Sequence, residues 1–306
     1  MLRVFAFFFA ASLLSAQTNT ALDQAIKAKI AGFPGKVSLY AKNLDTGETY
    51  SLEGDQPVRT ASTIKLPIMI ECFAEASTSK HKLNELLVIT AGEKVSGSGI
   101  LQDLSDGTQL QLQDMILLMI TLSDNTATNL ILNLIGGNAV NARMADLGLK
   151  DTRVMRKILG DGNKLKPTPS GITGEGAKPE NKKWGIGRSS PQEMVTLLEK
   201  LYRGELISKQ ASAAMIEILK KQRDHSGIGR DLKDTVIANK SGALDALRSD
   251  VGIVYTDKGP IAMAITVDGM PTPDWSPDNP GELLIARLSE LLLNGLATRT
   301  TAENWD

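Results

Sequence analysis

Ser62 and Lys65 are the first residues in this chain whose types and spacing could do chemistry. They stand three residues apart, just before an apolar run at residues 68–76 that predicts a buried helix. Residues i and i+3 share a helix face, so we expect the Lys65 amine to reach the Ser62 hydroxyl. A lysine can activate a serine when burial or nearby positive charge lowers its pKa. By itself the pair is more typical of a helix N-cap followed by a snorkelling lysine.

Two polar triplets later in the chain make a serine nucleophile the more specific interpretation. An S-D-N triplet at residues 123–125 interrupts a strongly apolar helical region. A K-S-G triplet at residues 240–242 follows a strand predicted at residues 236–239. A given triplet occurs by chance about once in several thousand positions, and three motifs in a defined order are rarer still.

The order of the predicted elements indicates how these motifs are brought together. A helix and two strands come first, helices fill the middle, and three strands and a helix end the chain. This order predicts an α+β fold, with an antiparallel sheet built from both chain ends, flanked by helices, and an all-helical lobe inserted between. We expect the site in the cleft between sheet and lobe.

The chain is predicted to form one catalytic domain after a short leader. Residues 1–16 have the positive start, apolar run and small-residue end of a secretory signal peptide, which predicts a periplasmic or secreted protein without stable membrane insertion. The remaining divisions are an α/β lobe (17–60 and 188–296), a helical lobe (61–156), a long Gly-, Pro- and Lys-rich loop (157–187) and a loose tail (297–306).

Composition excludes several other classes of function. Lys plus Arg is 34 and Asp plus Glu is 35, for a net charge of −1, and the aromatic share is 4%, which argues against nucleic-acid partners. Cys72 is the only cysteine, and His81 and His225 are the only histidines. These residues favour neither a zinc site nor a disulfide, so we expect no metal cofactor, and we expect a monomer.

The three motifs occur in the order found in the class A β-lactamases and the related penicillin-binding serine enzymes, which this chain resembles. That family carries S-x-x-K, S-D-N and K-[ST]-G, and this chain reads S-T-I-K, S-D-N and K-S-G. The resemblance covers most of the mature chain, including a V-G-I-V strand at residues 251–254. It implies a β-lactamase or D,D-peptidase-like fold, no organic cofactor, and a small β-lactam or peptidoglycan-derived substrate.

The resemblance also implies a role for each motif residue. Ser62 would attack the lactam carbonyl to form an acyl-enzyme, and Lys65 would take or relay its proton. Ser123 would pass a proton to the departing nitrogen, and Asn125 would bind the amide of the substrate side chain. The backbone N–H groups of Ser62 and Ala243 would form the oxyanion hole.

The K-S-G triplet is implied to bind the substrate carboxylate. Lys240 and Ser241 would contact that carboxylate, and Gly242 would let the backbone approach closely. Arg248 lies just beyond the triplet and is either a second carboxylate partner or a surface arginine.

One departure from the family pattern concerns release of the acyl group. Class A enzymes use a glutamate in an E-x-x-L-N loop to activate the water, and residues 152–161 here contain no such motif. Glu175 and Glu180 follow in an apparent insertion, where each is either a substitute base or a solvated loop carboxylate.

Three functions remain open on these observations. The first is a class A-like serine β-lactamase acting through a Ser62 acyl-enzyme, with slow deacylation. The second is a D,D-peptidase-like or esterase-type serine hydrolase acting on peptidoglycan peptides or esters. The third is a non-catalytic β-lactam sensor that is acylated once.

Overall fold

The computed structural model describes residues 20–160 and 171–297. The predicted signal segment, the predicted tail from residue 298 onward and part of the predicted long loop lie outside the described residues. The elements in chain order are α1 (20–30), β1 (Lys36–Asn43), β2 (Thr49–Leu52), β3 (Val58–Arg59), α2 (Lys65–Ser77), β4 (Leu86–Val88), β5 (Gln109–Gln111), α3 (Leu112–Thr121), α4 (Asn125–Ile135), α5 (Gly137–Asp146), β6 (Arg153–Val154), β7 (Gly187–Ser189), α6 (Pro191–Arg203), α7 (Lys209–Leu219), β8 (Ile237–Leu244), β9 (Leu247–Thr256), β10 (Gly259–Asp268) and α8 (Pro280–Leu296).

The main sheet joins the two ends of the chain. Its strand order is β2-β1-β10-β9-β8, and every neighbouring pair is antiparallel. Strands β1 and β10 pair from Lys36 with Asp268 to Asn43 with Ile261, so the first hairpin lies directly beside the last one. The predicted α+β architecture is confirmed, and β8 is left as an edge strand of this sheet.

Apolar side chains alternate along the central strands, so the sheet has a core on each face. In β10, Ile261, Met263 and Ile265 pack with α1 and α8, whereas Ala262 and Ala264 face α6 in the core that also contains the helices of the inserted lobe. The same alternation places the even-numbered residues of β8 toward the lobe and its odd-numbered residues toward α8. This register decides which motif residues can meet.

Helix α2 is the centre of the helical lobe. Its residues are buried almost all round, from Lys65 to Glu75, because α3, α4 and α5 surround it. Cys72 is a buried free thiol within this packing. An ion pair between Glu71 and Arg143 ties α2 to α5. Within residues 20–160 and 171–297, no helix combines the length and apolar character needed to cross a bilayer.

The structure differs from the sequence prediction in three local respects. The K-S-G triplet lies inside β8 rather than after a strand, because pairing with β9 continues as far as Leu244 and overrides the low strand propensity of glycine. Ser62 lies in a one-turn 3₁₀ helix, Ala61–Ile64, that leads into α2. Part of the predicted long loop is ordered as a 3₁₀ helix, Pro179–Trp184.

Candidate active site

The nucleophile candidate lies on a strained turn at the start of α2. Ala61, immediately before Ser62, has φ of 46°, a conformation that non-glycine residues rarely adopt and that clusters at functional sites. The backbone N–H and the hydroxyl of Thr63 donate to the Thr60 carbonyl at 3.1 and 2.8 Å, which closes the turn. Ser62 itself is half-buried at the edge of the lobe.

Lys65 links the S-x-x-K and S-D-N motifs. Its amine is fully buried and donates to the Ser123 carbonyl at 2.6 Å, to Ser123 Oγ at 3.1 Å and to Asn125 Oδ1 at 3.1 Å. Burial lowers the pKa of Lys65 well below its ordinary value, and the positive charge of Lys240 lowers it further. Among the described residues the amine has no hydrogen bond to Ser62 Oγ, so the direct contact expected from helix geometry is absent in the free protein.

The aspartate of the S-D-N triplet holds the turn between α3 and α4. Asp124 is 1% exposed and caps α4 by accepting from the backbone N–H of Ala127 at 2.8 Å. It also accepts from the backbone of Ile100 at 2.7 Å and of Leu101 at 2.9 Å. A Cβ atom on Gly99 would lie 2.2 Å from its Oδ2 atom, so the opposing loop must carry glycine there. Asp124 is therefore a structural residue.

Asn125 is fixed between the lobe and the loop that precedes α3. Its side-chain amide donates to the Ser96 carbonyl at 3.1 Å while its oxygen accepts from Lys65, and its backbone N–H donates to Ser98 at 2.9 Å. Ser123, two residues before Asn125, has a backbone φ of 54°. The segment thus holds a hydroxyl and an amide beside the buried amine.

Sequence reasoning missed Asn129, one turn after Asn125 on α4. Its amide exchanges two hydrogen bonds with the backbone of Ile158: Nδ2 donates to the carbonyl at 2.9 Å, and the Ile158 N–H donates to Oδ1 at 2.9 Å. Gly160 then packs against Ser96, where a Cβ atom would lie 2.5 Å from the serine hydroxyl. The signal available in the sequence was the i, i+4 spacing of two asparagines on one helix face.

Strand β8 brings the K-S-G triplet against the nucleophile turn. Lys240 is fully buried on the lobe side, and its amine donates to the Ser241 carbonyl at 2.6 Å. Burial lowers the pKa of Lys240 to about 8, although the negative charges of Asp250 and Asp224 act to raise it. A Cβ atom on Gly242 would lie 2.8 Å from the Thr60 carbonyl and 3.0 Å from the Ser62 nitrogen. Only glycine allows this approach of the strand to the Ser62 backbone.

Ser241 lies on the other face of the strand, among carboxylates. It lies close enough to Asp224, a residue of the loop between α7 and β8, to help lower the pKa of that carboxyl against the effect of burial. Asp250, which pairs with Ser241 in the sheet, is 1% exposed and accepts from Asn239 at 2.9 Å and from the Ile228 N–H at 3.0 Å. Burial raises the pKa of Asp250 to about 6.

The structure does not bring Arg248 to Lys240. Arg248 pairs with Ala243, so its side chain points toward α8, away from the lobe. It is 3% exposed and donates to the carbonyls of Leu244 at 2.6 Å and Leu247 at 2.7 Å. Its guanidinium also lies 3.3 Å from Glu282 and stacks on Trp275 at 4.8 Å from the ring centroid.

The two glutamates considered as deacylation bases have other surroundings. Glu175 lies 2.8 Å from the Lys178 amine and accepts from Asn181 at 3.2 Å, and the hydrogen bond from Lys178 lowers its pKa. Glu180 is exposed in the first turn of a 3₁₀ helix. Within the described ranges, neither carboxylate contacts the residues around Lys65.

The converging groups are those that acyl transfer requires. A serine hydroxyl, a buried amine of lowered pKa, a second hydroxyl and a buried lysine meet at the junction of β8 with the start of α2. For residues 20–160 and 171–297, no set of three or more His, Cys, Asp or Glu side chains is grouped so that it could hold a metal ion.

Comparison with known proteins agrees with this geometry. The structure of a β-lactamase from Sphaerobacter thermophilus is 30% identical, with a TM-score of 0.76, and the match covers 90% of this chain and 97% of that one. A variant of PBP-A in an acyl-enzyme complex with penicillin G is 26% identical, with a TM-score of 0.75, over 89% of this chain and 94% of that one. β-Lactamase PSE-4 of Pseudomonas aeruginosa is 27% identical over 44% of this chain, a match that spans about half (47%) of that relative. The pattern of the "Beta-lactamase enzyme family" matches residues 21–296, and the chain belongs to that family.

Proposed function

We propose that this chain is a class A-like serine β-lactamase that forms an acyl-enzyme on Ser62 and releases it slowly. The observation that carries the proposal is the position of Lys65, three residues after the nucleophile, fully buried and hydrogen-bonded to Ser123 and Asn125. Lowering the pKa of Lys65 favours its neutral form, which can accept a proton. We also propose that the protein is exported, since its first residues have the pattern of a signal peptide.

Acylation follows from the placement of these groups. As Ser62 Oγ bonds to the lactam carbonyl carbon, its proton passes to neutral Lys65. The carbonyl oxygen becomes an oxyanion that the N–H groups of Ser62 and Ala243 stabilise. When the C–N bond breaks, Ser123 donates its proton to the departing nitrogen. Lys65, 3.1 Å away, then returns a proton to Ser123, so both residues recover their starting state.

For deacylation, the described residues offer no base equivalent to the one that Lys65 provides for acylation. Asn129 fixes the loop backbone at residue 158, and the side chain there is isoleucine, which cannot activate water. Neither Glu175 nor Glu180 contacts the residues around Lys65. General-base assistance is typically worth about a hundred- to ten-thousand-fold, so an ester without it persists. The lack of a positioned base supports slow deacylation.

A second candidate is a penicillin-binding, D,D-peptidase-like or esterase-type hydrolase. Two observations favour it: the absence of a carboxylate at residue 158, and the similarity to PBP-A, whose acyl-enzyme complex with penicillin G was obtained with a leucine-to-glutamate variant. The acylation machinery is the same in both candidates. A sensor that is acylated once would share it too, and would show no turnover of any substrate.

Pre-steady-state kinetics with a chromogenic β-lactam in excess over the protein test the proposal. We expect a burst of product close to one equivalent of protein, followed by slow linear turnover, because acylation has its base and deacylation does not. A steady rate without a burst would show that deacylation is fast. A burst with no later turnover of β-lactams, peptides or esters would favour the sensor.

Lys240→Ala is expected to slow acylation by an anionic β-lactam by about ten- to a hundredfold, and acylation by a neutral ester analogue much less. The lost contribution is a charge-assisted hydrogen bond to the substrate carboxylate. Measuring kcat/KM for both substrates gives the comparison. Equal losses would instead indicate that Lys240 has a structural role in β8.

The pH dependence of acylation tests the roles of both Lys65 and Lys240. Lys65 must lose its proton to act, so kcat/KM should rise with pH through its lowered pKa. Lys240 loses its charge above pH about 8, so kcat/KM for the anionic substrate should fall there, and the neutral ester should not show this fall. Removing the Lys240 charge should also raise the pKa of Lys65, so the acid limb of the kcat/KM profile should move to higher pH.

A further inference from the structure

A basic cleft opens beside the site, between α3 and the segment that follows α7. Its volume is about 360 Å³. Leu117 and Thr121 of α3 form one wall, and the other carries the side chains of Lys220, Lys221, Arg223 and His225. None of these residues has a role in the acylation steps described above.

Backbone contacts place the basic cleft next to the catalytic groups. The Arg223 N–H donates to the Thr121 carbonyl at 3.2 Å, which docks the segment after α7 onto the end of α3. Ser123 follows Thr121 by two residues. On the other wall, Asp224 stands next to Arg223, and it lies close enough to Ser241 and Lys240 of the K-S-G triplet for both to favour its charged form. The cleft therefore continues the site on the side where Ser123 and Ser241 lie.

The positive charge of the cleft is not balanced locally. Lys221 and Arg223 are exposed, and neither forms an ion pair with any other described residue. Lys220 is paired with Glu217 at 2.8 Å. The adjacent carboxylate, Asp224, is partly buried and accepts from the Ser226 N–H at 3.1 Å. Since the whole chain has a net charge of −1, this is a local concentration of cations.

We propose that the basic cleft is a subsite for an anionic group on the leaving-group side of the substrate. The proposal rests on the proposed function, in which Ser123 protonates the leaving group and Lys240 binds the first substrate carboxylate. A group that extends past them enters the cleft, where Lys221 and Arg223 attract a second carboxylate. The favoured substrate class is thus a β-lactam, ester or peptide whose leaving part carries two negative charges.

Two aryl esters with the same acyl group test the subsite. One has 3,5-dicarboxyphenol as its leaving group and the other has 3-carboxy-5-carbamoylphenol, so each offers one carboxylate to Lys240 and they differ in the second. We expect kcat/KM of the parent protein to favour the dicarboxylate about three- to tenfold at low salt. The preference should shrink at 1 M salt, where the Debye length is about 3 Å.

Charge-neutralising variants identify the origin of that preference. The cleft variant Lys221→Gln/Arg223→Gln should lose it, while Lys29→Gln/Lys36→Gln, which removes two exposed cations in α1 and at the start of β1, should keep it. Equal rates for the two esters in the parent would overturn the subsite, as would a preference that survives in the cleft variant or is lost in the control. If penicillin G labels Ser62 but neither ester does, the subsite is overturned; if penicillin G forms no adduct on Ser62 either, the proposed function itself fails.

Discussion

Ser62→Ala is expected to abolish covalent labelling of the protein by a β-lactam and to leave the fold intact. Acylation should slow by more than about a thousandfold, because removing a nucleophile removes the covalent step and not only a contact. The side chain is half-buried and makes no hydrogen bond to another described residue, so alanine fits without leaving a buried polar atom unpaired. Mass spectrometry after incubation with penicillin G measures the adduct.

The chain offers a matched control for this substitution. Ser77 with Lys80 is another S-x-x-K pair, and the Ser77 hydroxyl donates to the Ala74 carbonyl at the end of α2. Ser77→Ala should therefore label like the parent protein, and thermal unfolding should show that both variants are folded. A β-lactam adduct on folded Ser62→Ala would disprove the mechanism.

Ile158→Glu should shorten the life of the acyl-enzyme by about a hundredfold without changing the rate of its formation. The backbone of residue 158 is held by both hydrogen bonds of Asn129, and Asn129 lies one turn along α4 from Asn125, which contacts Lys65. A carboxylate introduced there is supported by a fixed backbone close to the site, and a positioned base is worth about a hundred- to ten-thousand-fold. Separate acylation and deacylation rates from stopped-flow measurements test this.

The controls distinguish a new base from a general disturbance of the loop. Ile158→Gln has a similar size and polarity but cannot take a proton, so its adduct should persist as in the parent. Glu175→Gln and Glu180→Gln should also leave deacylation unchanged. A longer-lived adduct in either of them would identify that glutamate as the base, and equally fast release from Ile158→Gln would exclude base catalysis at residue 158.

The family, the architecture and the three motifs were all predictable from the amino-acid sequence. Residues close in the chain carry this information: Ser62 and Lys65 share one turn, and the S-D-N triplet stands at a helix junction whose apolar flanks are plain in the sequence. The antiparallel sheet from both chain ends followed from the order of elements, since hydrophobic period and turn chemistry are local properties. The missing glutamate was also visible, because it is an absence within one short stretch.

Properties that depend on pairing and burial between distant segments were visible only in the folded protein. The face occupied by Arg248 depends on strand register, since a shift of one residue exchanges the two faces of a sheet. The lowered pKa of Lys65 needs burial by the whole lobe and the charge of Lys240, which lies 175 residues further along the chain. Two further contacts join segments that no local pattern connects. Asn129 is hydrogen-bonded to the backbone of Ile158, and Gly242 approaches the backbone of Ser62.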